Sequence, residues 1–331
     1  MKILVYEARP DELADLRVQE KDLGVELAIT EAVPSPENAG LAAGCGGVSV
    51  LGQGRIDQAL LDAWYGLGVR YLSTRTVGYD HIDLGYAKQL GIRVCSAAYA
   101  PDGVADFTVM MILMCLRNYK QAMWRGQVND FSLDGLQGRE LKDLTVGIVG
   151  AGRIGTRVIR DLSGFGCRIL VNSRRRDPAL EGLAEYTDFD ALLARSDVIS
   201  LHVPLTPSTR HMIDRAAIAK MRSGVILVNC SRGELMDMEA LVEGIESRKI
   251  GALGMDASEG EEGIIHEDHR VDILPNRNWF YLHQFRNVIM TQHMAFYTDA
   301  AVRSMVACGI RGLWEMANGE PCETELTRPA P

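Results

Sequence analysis

Three apolar runs in the second half of the chain each lead into residues able to handle protons or anions. "GVILVNCS" (224–231) is followed by Arg232, "GALGMDA" (251–257) carries Asp256 and leads to Glu259, and "NVIMTQH" (287–293) ends in His293. An arginine presents a planar fork of donors that matches a carboxylate or a phosphate. A histidine beside a carboxylate exchanges protons near neutral pH. Doubly wound parallel sheets place ligands outside the carboxyl ends of their strands, so three successive strands here deliver a cation, a carboxylate and an imidazole to one edge. Acid–base chemistry on a small anion is the chemistry that such a set can do.

Upstream, "TVGIVGAGRIG" (145–155) sets Gly150, Gly152 and Gly155 as G-x-G-x-x-G, after an apolar strand and before a helical stretch. The first glycine permits a tight turn, the second a close backbone approach to a pyrophosphate, and the third close packing of helix on strand. This turn, with Arg153 and Ile154 inside it, is expected to hold a dinucleotide at the start of the helix. At the end of the next strand, where an acid usually holds the ribose 2′-hydroxyl, the chain has Ser173 followed by Arg174, Arg175 and Arg176. Serine with Arg174 and Arg175 attracts a 2′-phosphate that a carboxylate would repel, so NADP(H) is favoured and NAD(H) stays possible; Arg176 is left to solvent. His202, Val203 and Pro204 in "LHVP" are expected to line the cofactor cleft, with Cys230 as an apolar wall and Asp256 either near the nicotinamide or capping a turn.

These residues need a frame, and the rest of the chain supplies its pattern. The 331 residues are 47% hydrophobic and 24% charged, enough for two packed domains. Short apolar runs alternate with amphipathic stretches, which predicts parallel sheets flanked by helices. Five strands are read from "KILVYEA" (2–8) to "IRVCSA" (92–97), and six from "TVGIVG" (145–150) to "NVIMTQH" (287–293). The expectation is an α/β protein with two doubly wound parallel-sheet domains, one Rossmann and one flavodoxin-like, and a cleft between them. The substrate domain is expected over 1–99 and 299–331, and the dinucleotide domain over 100–298. A long apolar helix is read over about 104–119, and the final helix (298–320) is free to return to the first domain.

A net charge of −9 argues against nucleic acid as a partner, since phosphate backbones need a basic face. "VMMILMCL" falls far short of the roughly 20 apolar residues that cross a bilayer, so no membrane association is expected. Seven cysteines without a C-x-x-C pair suggest reduced thiols in the cytoplasm, and no histidine spacing suggests a metal.

In order along the chain, "TRTVGYDHIDL", "AYAPDGVADFTV", "GAGRIG", "LHVPLT", "NCSRGEL", "MDASEGEEG" and "QHMAFYT" resemble the D-isomer-specific 2-hydroxyacid dehydrogenases. The acidic segment 259–285 is similar to that of their D-lactate dehydrogenase branch, and "SRRR" to the cofactor loop of the NADPH-using, vancomycin-resistance-associated members. The resemblance implies reduction of a 2-oxo acid, pyruvate or a larger analogue, to the (R)-2-hydroxy acid. It implies that Arg232 binds the substrate carboxylate, that His293 is the acid/base, and that Glu259 hydrogen-bonds His293. It also implies that the amides of Val77 and Gly78 hold the carboxylate, that Tyr99 forms the pocket wall, and that the chain is a homodimer. Tyr297 is a candidate pocket residue. Gln292 stands where the family usually has proline, which removes a backbone restraint beside His293. Two rival readings are the same chemistry on a bulky acid such as 2-oxoisocaproate or phenylpyruvate, and a cofactor-sensing corepressor-like binding protein.

Overall fold

The computed structural model describes residues 1–274 and 276–328, and the chain divides into two units: Met1–Ala100 with Tyr297–Pro331, and Pro101–Phe296. Residues 329–331, at the end of the expected substrate domain, and Pro275, in the acidic segment, lie outside the described residues.

The first unit is built on strands β1 (Lys2–Val5), β2 (Glu26–Ile29), β3 (Gly47–Val50), β4 (Tyr71–Thr74) and β5 (Arg93–Cys95). They form an all-parallel sheet in the order β2-β1-β3-β4-β5. Successive side chains of a strand face opposite ways, and both faces here are covered, which is why the strands read as continuous apolar runs. Leu4, Val48, Val50, Leu72 and Val94 pack with Trp64 and Leu61 on one face. Ile3, Val5 and Leu27 pack on the other with Leu16 and with Val306, Ile310 and Leu313 of the last helix, Asp299–Ala317. Each such buried aliphatic side chain contributes roughly 1.5–3 kcal/mol. The final helix therefore does return to the first sheet.

The second unit holds β6 (Thr145–Val149), β7 (Arg168–Asn172), β8 (Glu185–Tyr186), β9 (Val198–Leu201), β10 (Val225–Asn229), β11 (Ile250–Met255) and β12 (Val288–Met290). Its parallel order is β12-β11-β10-β9-β6-β7-β8, the doubly wound arrangement with a reversal between β6 and β9. The two-residue β8 has no apolar run to announce it, and the sequence reading misses it. The long apolar helix runs over Asp102–Leu116, where Val104, Met111, Ile112 and Cys115 are buried against β10, β11 and the helix Arg153–Ser163. Met110 on the same helix is exposed, so its apolar surface is not wholly covered within this chain. Among the described residues no helix is long and apolar enough to cross a membrane.

Candidate active site

The glycine turn sits at the reversal between β6 and β9. Gly150 has φ +99°, and a Cβ there would stand 2.4 Å from the carbonyl oxygen of His202. A Cβ on Gly155 would stand 2.0 Å from the Gly150 carbonyl oxygen, so only glycine lets the helix start so close to the strand. Gly152, the N-cap of the helix Arg153–Ser163, differs: nothing lies within 4 Å of a Cβ built on it. That open space, at the start of a helix with its backbone donors, is where an anion fits. His202 closes the other side. Its Nε2 lies 2.9 Å from Ser200 Oγ, whereas its buried Nδ1 has no hydrogen-bond partner among the described residues. Burial holds its pKa down at about 4, so the ring is neutral. Val203 and Pro204 continue the loop, and the Pro204 carbonyl accepts from Thr209 Oγ1 at 2.7 Å.

At the end of β7 a cavity of about 390 Å³ is lined by Ser173, Arg176, Tyr186, Thr187 and Asp188. The Arg176 guanidinium lies 5.5 Å from the centroid of the Tyr186 ring, and the Tyr186 hydroxyl accepts from the Asp177 amide at 2.9 Å. Arg174, Arg175 and Arg176 are all exposed, and of the three Arg176 lines the cavity. Ser173 and Arg176 thus share the cavity lining, which Asp188 joins with a carboxylate. The short β8 brings Tyr186 alongside.

At the carboxyl edge of β10, β11 and β12 the chemistry-bearing residues converge. Arg232 follows β10; its Nη1 donates to the Ser231 carbonyl at 2.9 Å, and Asn229 Nδ2 donates to the Arg232 carbonyl at 2.8 Å. A Cβ on Gly233 would stand 2.0 Å from the Ser258 carbonyl carbon, so the Arg232 turn is pressed against the loop after β11. In that loop Glu261 Oε1 lies 2.6 Å from His293 Nδ1, and Glu261 Oε2 accepts from the Ser258 amide at 2.7 Å. Burial pulls the His293 pKa down, but the hydrogen bond and charge of Glu261 outweigh it and leave the imidazole above its ordinary value, against the opposing charge of Arg232. The pair leaves Nε2 as the ring atom free to exchange a proton.

Glu259 is not the partner of His293. Its carboxylate lies 2.9 Å from His211 Nε2 and 3.0 Å from Arg210 Nη1, and so ties down the 206–213 segment. The run "EGEEG" offers three acids, and Gly260 at φ +75° turns the chain between the first and the second. Only the turn distinguishes them, and spacing alone cannot show it.

Asp256 holds the turn around His293, in line with the second of its two expected places. It is 1% exposed, and its oxygens accept from Thr291 Oγ1 (2.6 Å), the Met294 amide (2.9 Å) and the Ala295 amide (2.8 Å). These three bonds bracket His293, whose φ of +51° lies in the left-handed region that a histidine adopts rarely. With Gln292 in place of proline, Asp256 is what pins the histidine backbone. Cys230 is buried, and burial, with the nearby Asp256 charge, pushes its thiol up, so the thiol stays neutral.

The remaining candidates lie in the first unit. Val77 is exposed, and the Gly78 carbonyl accepts from Thr76 Oγ1 at 2.6 Å. Tyr99 is half-buried, and the Tyr297 ring, exposed at its edge, has the Arg9 guanidinium 5.0 Å from its centroid.

Comparison with known proteins identifies the family. The family model for the NAD-binding domain of D-isomer-specific 2-hydroxyacid dehydrogenases matches residues 109–295. An aromatic 2-oxoacid reductase of Clostridium sporogenes is 38% identical over 98% of this chain and 99% of its own. A D-lactate dehydrogenase of Escherichia coli is 35% identical over 98% of this chain and all of its own. The apo structure of the Escherichia coli D-lactate dehydrogenase superposes with a TM-score of 0.88 at 34% identity, covering 98% of this chain and all of that one. The chain therefore belongs to the D-isomer-specific 2-hydroxyacid dehydrogenases, in their D-lactate dehydrogenase branch, oxidoreductases of 2-hydroxy and 2-oxo acids with an NAD-binding Rossmann domain.

Proposed function

We propose that the protein reduces a 2-oxo acid to the (R)-2-hydroxy acid with His293 as the acid, NADPH being the favoured reductant and NADH possible. The observation that carries this reading is the 2.6 Å contact of His293 with Glu261 beside Arg232. Gly150, Gly152, Arg153, Ile154 and Gly155 would hold the pyrophosphate, with His202, Val203, Pro204 and Cys230 lining the rest; the open space at Gly152 and the unpartnered His202 Nδ1 fit such a group. When bound, the nicotinamide supplies the hydride. Ser173 with Arg174 and Arg175 favours the 2′-phosphate, and Arg176, which lines a cavity with Ser173, adds a further guanidinium.

Arg232 binds the substrate carboxylate through its fork and polarises the neighbouring 2-oxo group. His293 carries its proton at Nε2 and gives it to the carbonyl oxygen; in the oxidative direction neutral His293 takes it back. Glu261 stabilises the imidazolium, and Asp256 keeps the ring in register. Val77, Gly78, Tyr99 and Tyr297 are proposed as further substrate contacts. The name of the Clostridium relative favours a second reading, an aromatic 2-oxo acid over pyruvate. Steady-state kinetics with NADPH and NADH against pyruvate, 2-oxoisocaproate and phenylpyruvate tests both readings. Failure of every 2-oxo acid to oxidise either cofactor sinks the enzyme reading and returns the corepressor-like one.

We also propose a cytoplasmic homodimer. Seven free cysteines support the compartment. A groove of about 560 Å³ lined by Val109, Met110, Leu113 and Met114, with Asp106, Arg117 and Asp161 also in its lining, supports a second copy as its occupant. Sedimentation as a monomer would remove that part.

A further inference from the structure

The first sheet has its own reversal point. In the order β2-β1-β3-β4-β5 the chain leaves β1 for β2 and returns on the other side as β3, so the crevice lies at the carboxyl ends of β1 and β3. In such sheets that crevice is where ligands bind. Here it is filled by the protein itself. Glu7, two residues after β1, is 3% exposed and sits at φ +54°, a conformation in which glutamate is uncommon. Its Oε2 accepts from the amides of Leu51 and Gly52, and its Oε1 from those of Gln53 (2.8 Å) and Gly54 (2.9 Å). Four consecutive N–H groups converging on one carboxylate form an anion nest, and Gly52 at φ +95° helps to shape it.

A second set of bonds ties this nest to the next strand. Fully buried Arg75 donates from Nη2 to the carbonyls of Tyr6 (2.9 Å) and Glu7 (3.3 Å), from Nε to Glu12 Oε1 (2.8 Å), and from Nη1 to Ser49 Oγ (3.2 Å). Arg75 opens the loop that carries Val77 and Gly78. Since β3 and β4 pair with Val50 opposite Thr74, the loops 51–54 and 75–78 leave the sheet side by side. Backbone strain of the kind seen at Glu7 persists only where surrounding bonds over-determine it, and it clusters at binding sites.

We propose that Glu7 is a positioning residue for the substrate: its carboxylate occupies the amides at the β1/β3 crevice, closing them to a substrate carboxylate and fixing exposed Gln53 beside the loop of Val77 and Gly78. This rests on reading the first unit as the substrate-binding one. With the nest filled internally, the amides this unit leaves to a substrate anion are those of the Val77–Gly78 loop. Without Glu7 the nest becomes a vacant receptor for any small carboxylate.

The test uses Glu7→Ala and the near-isosteric Glu7→Gln in the full-length protein. Glu7→Ala is expected to raise KM for pyruvate on the order of tenfold, with the NADPH and NADH dissociation constants unchanged, because the loop loses its anchor. Sodium acetate is expected to recover part of the loss by entering the nest, and to raise the melting midpoint of Glu7→Ala but not of wild type. Glu7→Gln is expected to raise KM less, since one oxygen still accepts. An unchanged KM in Glu7→Gln overturns the proposal, as does a stable Glu7→Ala that acetate neither stabilises nor rescues. Should Glu7→Ala not fold, the Glu7→Gln KM decides alone. If wild type turned over no 2-oxo acid, the functional reading would fail, while acetate stabilisation of Glu7→Ala would still decide whether the nest is an anion receptor.

Discussion

The two sheets present the same kind of crevice and treat it in opposite ways. At the β1/β3 reversal a glutamate of the chain satisfies four backbone amides, and the crevice is closed to outside anions. At the β6/β9 reversal the corresponding turn is glycine, Gly152 faces open space, and a buried imidazole nitrogen lacks a partner. Parallel topology makes the carboxyl edge of each sheet receptive to anions, because helix starts and turns there aim N–H groups outward. What decides whether a ligand enters is whether a side chain of the protein already fills the place.

The comparison breaks most sharply at the proton-transfer site of the open sheet. His293→Gln is expected to lower kcat by about 10²–10⁴-fold while cofactor binding stays, and Arg232→Ala to lose most of kcat/KM; a fluorescence titration with NADH alongside turnover separates the two. Gly152→Asp puts a carboxylate into the open crevice, as Glu7 does in the closed one. Because a Cβ at Gly152 meets nothing, the melting midpoint should hold while cofactor binding is lost. Retained binding would mean that the open turn is not the pyrophosphate site.

A smaller effect, about 10–100-fold in kcat, is expected for Glu261→Gln, and a weaker one for Glu259→Gln. The sign of the pH effect follows from His293. Its folded pKa is raised, so the imidazolium that reduction needs is present below that pKa and disappears as pH rises through it. Without the Glu261 charge the alkaline fall in reductase activity should move to lower pH, whereas Glu259→Gln should leave it in place. A shift with Glu259→Gln alone would reverse the assignment of the two acids. The smallest effect is expected at the 2′-phosphate cavity: Ser173→Asp with Arg176→Ala should move the NADPH to NADH ratio of kcat/KM toward NADH by roughly tenfold, and Arg174→Ala by less. Equal effects of the two arginines would deny Arg176 its special place.

Several of these residues could be read from type and spacing alone. Gly150, Gly152 and Gly155 declare themselves because their roles need the lack of a side chain, and a strand and a helix flank them in the sequence. Arg232 and His293 follow apolar runs, and the burial of parallel strands on both faces makes those runs legible. Asp256 was visible as a candidate, but not the three bonds by which it sets the His293 backbone. Tyr186 gave no signal, since a two-residue strand has no periodicity.

By itself, the sequence determined the two parallel sheets, the order of their strands along the chain, the dinucleotide turn and the edge at which a cation and an imidazole meet. These follow from local patterns, from burial on both faces of a strand and from residues whose chemistry is independent of their neighbours. Tertiary structure alone decided which of two glutamates, Glu259 or Glu261, holds His293, which arginine of three stands in the cavity wall, and that Glu7 closes its own crevice. Each of those depends on a left-handed turn or on a contact between segments far apart in the chain, such as the 32 residues from Glu261 to His293 and the 44 from Glu7 to Leu51. Linear spacing does not encode the direction of such a turn, and a carboxylate two residues away along the chain can point to a different partner.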